Sequence, residues 1–239
     1  MTQLYLIRHG EAMGAVLKRF ADTVGECGLT PRGRRQAEQL RDRLAATGEI
    51  AADVVITSTL PRARETAEIL APVWGRPLIL DDELQELRGG AAEGLDWQEF
   101  QARYGKPNFN EDPFRPVAPG GESWGQFQLR IGTALRRVTR EHAGHAIVIV
   151  CHGGVIGSSL LHFLGISPVA PRAFGLFTHN TAITHWEQEE HDGRLRWRLL
   201  SYNDAIHLRP GIRWAGVAAQ PETGVDTPAV PLPTEPAPP

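Results

Sequence analysis

Apolar residues fall into two rhythms along this chain. Short β-rich runs at 4–7, 54–57, 77–80, 147–150, 182–186 and 195–201 read as strands. Between the earlier runs, apolar positions recur at helical spacing. Thr30 caps a predicted helix with Pro31 at its first position, and Ala37, Leu40 and Leu44 share a face that runs out at Gly48. A second helix follows Ser58, with Pro61 near its start, Ala63, Ala67 and Leu70 on one side, and Gly75 closing it. A third starts after Glu122 and Ser123 and carries Phe127, Ile131, Leu135 and Val138 into Arg140; a fourth begins just after His152. The run 147–150 is apolar at consecutive positions, as in a strand buried on both faces. Alternating β and α segments predict an α/β fold of three αβα layers, a mostly parallel central sheet with helices on both faces. The last two strands, with no helix between them, are expected as antiparallel additions at one edge.

Beyond Gln220 the chain is dominated by Pro, Ala, Thr and Val, which build no core. Residues 220–239 therefore read as a disordered tail, and 1–219 as one domain. The length of 239 residues suits one substantial α/β core and falls short of two domains of usual size.

Composition narrows the function classes. With 41% hydrophobic and 22% charged residues the chain is an ordinary soluble globular sequence. A net charge of -3 gives no global pull toward nucleic acid or an anionic membrane, so neither is expected as a partner and any anion binding must be local. Cys27 and Cys151 are too few for a disulfide framework or a four-ligand metal site, and are expected as free thiols in a reducing compartment. No basic, apolar leader precedes Leu4, and the longest apolar run, 146–151, is far below membrane-spanning length, so a cytoplasmic location is expected. The nine histidines show no close ligand pairing on one helix, so neither metal nor other cofactor is expected. A homodimer is left open.

Candidate chemistry sits where strands end. The first strand leads into Arg8, His9, Gly10 and Glu11, and ligands of open α/β sheets bind outside the carboxyl ends of parallel strands. Alone, an Arg-His pair reads better as a strand end meeting solvent. The run Val148 to Cys151 repeats the arrangement, passing into His152, Gly153 and Gly154. Glycines let backbone approach a ligand, and the start of the next helix offers unpaired N–H groups to an anion, although a histidine there also serves as a plain cap. A third segment, 57–67, again follows a strand; Arg62, in the first helical turn, is expected to face the crevice, and Arg64 to make a surface contact with Glu65 or Glu68.

Taken together, Arg-His-Gly-Glu at 8–11, Ser-Thr-Leu-Pro-Arg-Ala at 58–63 with Thr66-Ala67, and His152-Gly153-Gly154 resemble the histidine phosphatase superfamily, also called phosphoglycerate mutase-like. Leu29-Thr30 with Gly33 and Gln36-Ala37, the segment 86–94, and Pro119 to Ser123 extend the match over about residues 4 to 207. The resemblance implies that His9 is the nucleophile, forming a phosphohistidine, with Arg8, Arg62 and His152 around the transferred phosphoryl group. It implies Gly153 and Glu11 as further substrate contacts and Glu86 as general acid and base. Such an acid must carry its proton beside a bound anion, whose like charge favours the neutral carboxyl. Without the resemblance, Glu86 is one more glutamate in an acidic stretch with Asp81, Asp82 and Glu83.

The pattern departs from its relatives at several points. Ala15 stands where many carry asparagine, Arg88-Gly89-Gly90-Ala91-Ala92 where an acidic and an aromatic residue are frequent, and Gly157 where arginine is frequent. Mutases of the superfamily resemble one another in an Arg-His-Tyr-Gly run after the acid; here Arg88 is followed by two glycines. Hydrolysis of a small phosphorylated metabolite is therefore the expected function. A phosphoglycerate mutase-type phosphotransferase and a non-catalytic phospho-ligand-binding protein are the alternatives. Trp97, Phe100, Tyr104, Phe109, Phe114 and Trp124 are expected in a lid or wall over the site, a segment that carries specificity, although aromatic residues at such spacing more often form a satellite core than a ligand cage. His179, Asn180, His185, Asn203 and His207 are read as structural polar contacts.

Overall fold

The computed structural model describes residues 1–19, 28–170 and 174–211. Six strands form one sheet in the order β3-β2-β4-β1-β5-β6: β1 (Thr2–Arg8), β2 (Val54–Ser58), β3 (Leu78–Asp81), β4 (Ala146–Cys151), β5 (Ile183–His191) and β6 (Arg194–Asp204). β1 to β4 run parallel. β5 and β6 are the expected antiparallel additions at one edge.

β4 shows why the sheet has two covered faces. Ile147, Ile149 and Cys151 pack with Phe127, Ile131 and Leu135 of α5 (Trp124–Glu141) and with Val155, Ile156 and Leu160 of α6 (Gly153–Phe163). Val148 and Val150 point the other way, onto Leu40 and Leu44 of α2 (Pro31–Thr47) and Ala63, Ala67 and Leu70 of α3 (Pro61–Leu70). Period-two alternation of an all-apolar strand thus builds the three αβα layers.

The helix starts follow their capping chemistry. The Thr30 hydroxyl accepts from the Gly33 amide at 2.9 Å, and Ser123 and Gln126 form a reciprocal capping box ahead of α5. α3 ends at Leu70, earlier than Gly75, because Pro72 lacks an N–H to continue the ladder; a 3-10 turn at Ala71–Val73 follows instead. The edge hairpin is longer than its apolar pattern. Asp192 and Gly193, with φ of 51° and 70°, form a tight turn that lets polar residues 187–190 continue β5. Two short helices, α1 (Met13–Val16) and α4 (Trp97–Tyr104), complete the set; α4 is capped by Asp96, which accepts from the Glu99 amide.

The proposed tail, the domain limit at residue 219 and Cys27 lie outside the described residues. Cys151 is buried and unpaired by any disulfide. No helix among the described residues is long and apolar enough to cross a membrane.

Candidate active site

Strand register brings together segments that lie far apart in sequence. β1 and β4 are parallel with Arg8 opposite Cys151, so the next residues on each, His9 and His152, emerge side by side with ring centroids 5.2 Å apart. β2 pairs with β4 through Thr57 and Val150, which delivers Ser58 to the same end of the sheet. β3 pairs with β2 through Asp81 and Ser58 and feeds the loop that carries Glu86.

His9 is buried, and its Nδ1 lies 2.6 Å from the Gly10 carbonyl oxygen. A carbonyl only accepts, so Nδ1 carries the ring proton and Nε2 keeps a free lone pair. Burial, reinforced by Arg62 and Arg8, holds the His9 pKa well below the ordinary histidine value, so the imidazole is neutral at pH 7. The backbone here is tied from several sides. The His9 amide donates to the Cys151 carbonyl, the Asn180 side chain donates to the His9 carbonyl, and the Gly10 amide donates to the Thr66 hydroxyl. Gly10 is glycine for want of space: a Cβ there would stand 2.4 Å from the Gly33 carbonyl oxygen.

His152 is completely buried against Ser58, whose Oγ lies 2.8 Å from Nε2. Ser58 Oγ already accepts from the Leu60 amide, and with its own proton turned to Nε2 the ring proton of His152 falls on Nδ1. Burial, then Arg62, His9 and Arg8, depress its pKa well below the usual range. Among the described residues, His152 Nδ1 and Arg8 Nε are buried nitrogens without a hydrogen-bond partner. An unsatisfied buried donor costs about 1–3 kcal/mol, so both suit an acceptor brought in by a ligand. Arg8 is held by one terminal nitrogen, which donates to the Thr178 carbonyl.

Arg62 lies in the first turn of α3, buried and lining the cleft, while Arg64 pairs with Glu68 at 2.8 Å on the exposed side of the helix. The two arginines separate as the sequence predicts. Glu86 also lines the cleft; its Oε1 accepts from the Leu87 amide at 3.1 Å and its Oε2 from the Gly154 amide at 2.9 Å. Gly154 is glycine for the same reason as Gly10, since a Cβ there would lie 2.1 Å from Glu86 Oε1. Gly153 opens α6 beside Arg8, and neither it nor the fully buried His152 is among the residues lining the cleft; both stand just behind Arg8 and His9.

Glu11 departs from its expected place. It turns to the start of α2, where the Thr30 hydroxyl donates to it at 2.8 Å and Arg32 lies 3.3 Å away, and it is not among the residues lining the cleft. The competition is local: Thr30 and Arg32 offer nearby donors. Two contributors have no role in the sequence analysis, Ser58 behind His152 and Thr66 behind Gly10; in the 178–181 loop behind Arg8 and His9, Asn180 makes a structural polar contact to the His9 carbonyl. Ser58 and Thr66 belong to the motif around Arg62, and that membership was the available signal. Thr181, a β-branched residue at φ 56°, is held in this strained form as its amide donates to the Arg8 carbonyl and its hydroxyl meets His207 Nε2 at 2.8 Å.

The cleft has a volume of about 670 Å³ and reaches from Arg8, His9, Arg62 and Glu86 to Trp97, Phe109 and Trp124, with Arg19 and Lys106 also on its wall. Phe109 and Trp124 stack at 5.3 Å. Ala15 lines it too. Phe100 is instead the centre of a small core with Ala92, Val117 and Ala118, and Phe114 is exposed. No three His, Cys, Asp or Glu side chains among the described residues gather as a metal-binding group.

The buried histidines make stability depend on pH. His9 and His152 have pKa values well below 6.5, and burial, with Arg43 nearby, takes His207 down to about 4. An unfolded chain binds a proton on each near pH 6.5 while the fold does not, so the unfolded state gains as pH falls. The expected result, without phosphate, is a melting temperature that drops steadily from pH 7 toward pH 4. Thermal unfolding followed by circular dichroism checks it; a flat profile down to pH 5 would contradict neutral buried imidazoles.

Comparison with known proteins agrees with this geometry. Residues 4–205 match the histidine phosphatase superfamily (branch 1), and the chain belongs to that family. It is 27% identical over 217 residues to a metal-independent phosphoserine phosphatase of Arabidopsis thaliana, covering 87% of this chain and 84% of the relative. It is 30% identical over 214 residues to the probable phosphoglycerate mutase GpmB of Yersinia enterocolitica, covering 87% and 95%. Among solved structures, a histidine-to-alanine mutant of phosphoserine phosphatase from Entamoeba histolytica in complex with phosphoserine superposes with a TM-score of 0.68 at 26% identity, over 87% of this chain and all of that one.

Proposed function

We propose that this protein is a metal-independent phosphomonoesterase that hydrolyses a small phosphorylated metabolite through a phosphohistidine on His9. The observation that carries the reading is a neutral, buried imidazole with a free Nε2 lone pair, in one cleft with two arginines and a carboxyl group. The Nε2 lone pair attacks phosphorus, the P–O bond to the alcohol breaks, and Glu86 gives its proton to the departing oxygen. Glu86 then takes a proton from water, whose oxygen attacks phosphorus; the P–N bond breaks and phosphate leaves with His9 neutral again. Arg8, Arg62 and His152 Nδ1 bind the phosphoryl oxygens as their charge shifts in the transition state.

The organic part of the substrate lies against Trp97, Phe109 and Trp124, with Arg19 and Lys106 on the same wall for a second anionic group. Phosphoserine and 3-phosphoglycerate are the first compounds to assay. A cysteine count too low for a disulfide framework supports a reducing compartment such as the cytoplasm.

The kinship with a probable phosphoglycerate mutase keeps phosphoryl return as the second reading. Arg88, two residues after the acid, donates to Gln85 and the Asp82 carbonyl and is not among the residues lining the cleft, which favours hydrolysis. The deciding experiment measures phosphate release from phosphoserine and p-nitrophenyl phosphate in excess chelator, alongside interconversion of 3- and 2-phosphoglycerate. Phosphate release with an acid-labile phosphoenzyme is expected. Interconversion without net release would make the protein a mutase, and inactivity on all substrates would leave a binding protein.

A further inference from the structure

Glu86 sits in an irregular segment, yet a proton donor must be held to a fraction of an ångström to work. What holds it comes from α5. Arg130 and Glu122 form a buried ion pair, their side chains 7% and 14% exposed, with guanidinium Nε and Nη2 on the two carboxylate oxygens at 2.7 and 2.6 Å. The rest of the guanidinium faces the acid's own loop. Nη1 donates to the carbonyls of Glu83 at 2.7 Å and Gln85 at 3.0 Å, and Nη2 to that of Glu86 at 3.1 Å. These five bonds use all five guanidinium donors.

Glu122 works on the same loop from its other side. Its Oε2 accepts from the Arg88 amide at 3.0 Å, and its own amide donates to the Arg88 carbonyl. Next to it, Gly121 backs onto Gly89 so closely that a Cβ would lie 2.7 Å from the Gly89 carbonyl oxygen. Burial alone would raise the Glu122 pKa, but Arg130 and the Arg88 amide outweigh it and hold the group ionised.

We propose that the Arg130–Glu122 pair is the positioning device of the acid, fixing the backbone on both sides of Glu86 so that its carboxyl meets the leaving oxygen. The proposal rests on Glu86 being the acid. A buried ion pair is poor evidence for stability, since its desolvation cost is about as large as its attraction. A planar fork that clamps three carbonyls of one loop while anchored by a carboxylate has a geometric task that lysine, with a compact head, does not meet.

The test compares Arg130→Lys and Glu122→Gln with wild type on phosphoserine and on p-nitrophenyl phosphate. A second ion pair, buried Arg43 with the more exposed Glu49, serves as control through Glu49→Gln. Misplacing a catalytic group by about 1 Å costs about 100-fold. The expected result, read in the first turnover before the shared hydrolysis of the phosphohistidine, is a fall in the rate of His9 phosphorylation by phosphoserine roughly 10- to 100-fold larger than by p-nitrophenyl phosphate, whose leaving group needs no proton. KM should change little, and the first-turnover burst of nitrophenol should persist. Glu49→Gln should not separate the two substrates. Equal losses on both, whether by unfolding or by uniform slowing, would make the pair a structural element and overturn the proposal. The acid reading is judged separately: if Glu86→Gln fails to separate the substrates, it is the acid that is wrongly assigned; if only Glu86→Gln separates them, the acid stands and the positioning role falls.

Discussion

Replacing His9 by alanine is expected to reduce phosphatase turnover by at least about 10⁴-fold, the scale on which loss of a covalent nucleophile is felt when its binding groups remain. The fold should survive. The His9 ring makes one hydrogen bond, to the adjacent Gly10 carbonyl, while the ties that shape the strand end run through backbone atoms that alanine retains. Removing a neutral buried imidazole also strands no charge. Substrate should still bind, because Arg8, Arg62 and His152 are untouched, and no acid-labile phosphate should appear on the protein after an acid quench. Near wild-type turnover would exclude His9 as nucleophile. Within the same experiment Arg62→Ala should be severely impaired and Arg64→Ala close to normal, since Arg62 lines the cleft and Arg64 is paired outside it with Glu68.

Much of this site was legible in the sequence because its reactive groups leave strands at their carboxyl ends, and strand ends are marked by local patterns. An apolar run passing into His9-Gly10 or His152-Gly153 announces both the element and the group at its tip. The Thr30-Pro31 start and the Ser123 cap are local in the same sense, each satisfied within three residues. Less visible are groups whose partners are chosen by packing. Arg130 falls between Phe127 and Ile131 and reads as a polar position on an amphipathic helix; nothing nearby says that its guanidinium is buried against carbonyls some 45 residues away. The family resemblance implies Glu11 as a substrate contact, but the donors that claim it, Thr30 and Arg32 at the start of α2, arrive only when the chain doubles back. The 178–181 loop, which secures both Arg8 and His9, lies about 170 residues downstream of them and has no periodicity to give it away. α4 was hidden by its shortness, its aromatic residues shared between the small core and the cleft wall.

Glu86→Gln isolates the step that most separates this mechanism from simple phosphate binding. Glutamine has nearly the shape of glutamate and keeps one acceptor oxygen, so one of the two bonds from the Leu87 and Gly154 amides is retained and the loop, held through its backbone by Arg130, should stay in place. What it lacks is a proton to give. Departure of an alkoxide depends on that proton, so hydrolysis of an alkyl phosphate such as phosphoserine should fall by roughly 10² to 10⁴-fold, the usual reach of general acid catalysis. Nitrophenolate leaves unprotonated, so transfer from p-nitrophenyl phosphate to His9 should stay fast in the variant. The second half-reaction still needs a base for water, and without one the phosphohistidine should accumulate. Stopped-flow mixing should then show a burst of nitrophenol close to one equivalent of enzyme, followed by a slow steady rate. Because the burst counts phosphorylated His9 directly, it distinguishes a lost proton donor from a collapsed site, which would give neither burst nor steady rate. Small, equal losses on both substrates would leave the alkoxide protonated by some other group and return Glu86 to the acidic run in which the sequence first presents it.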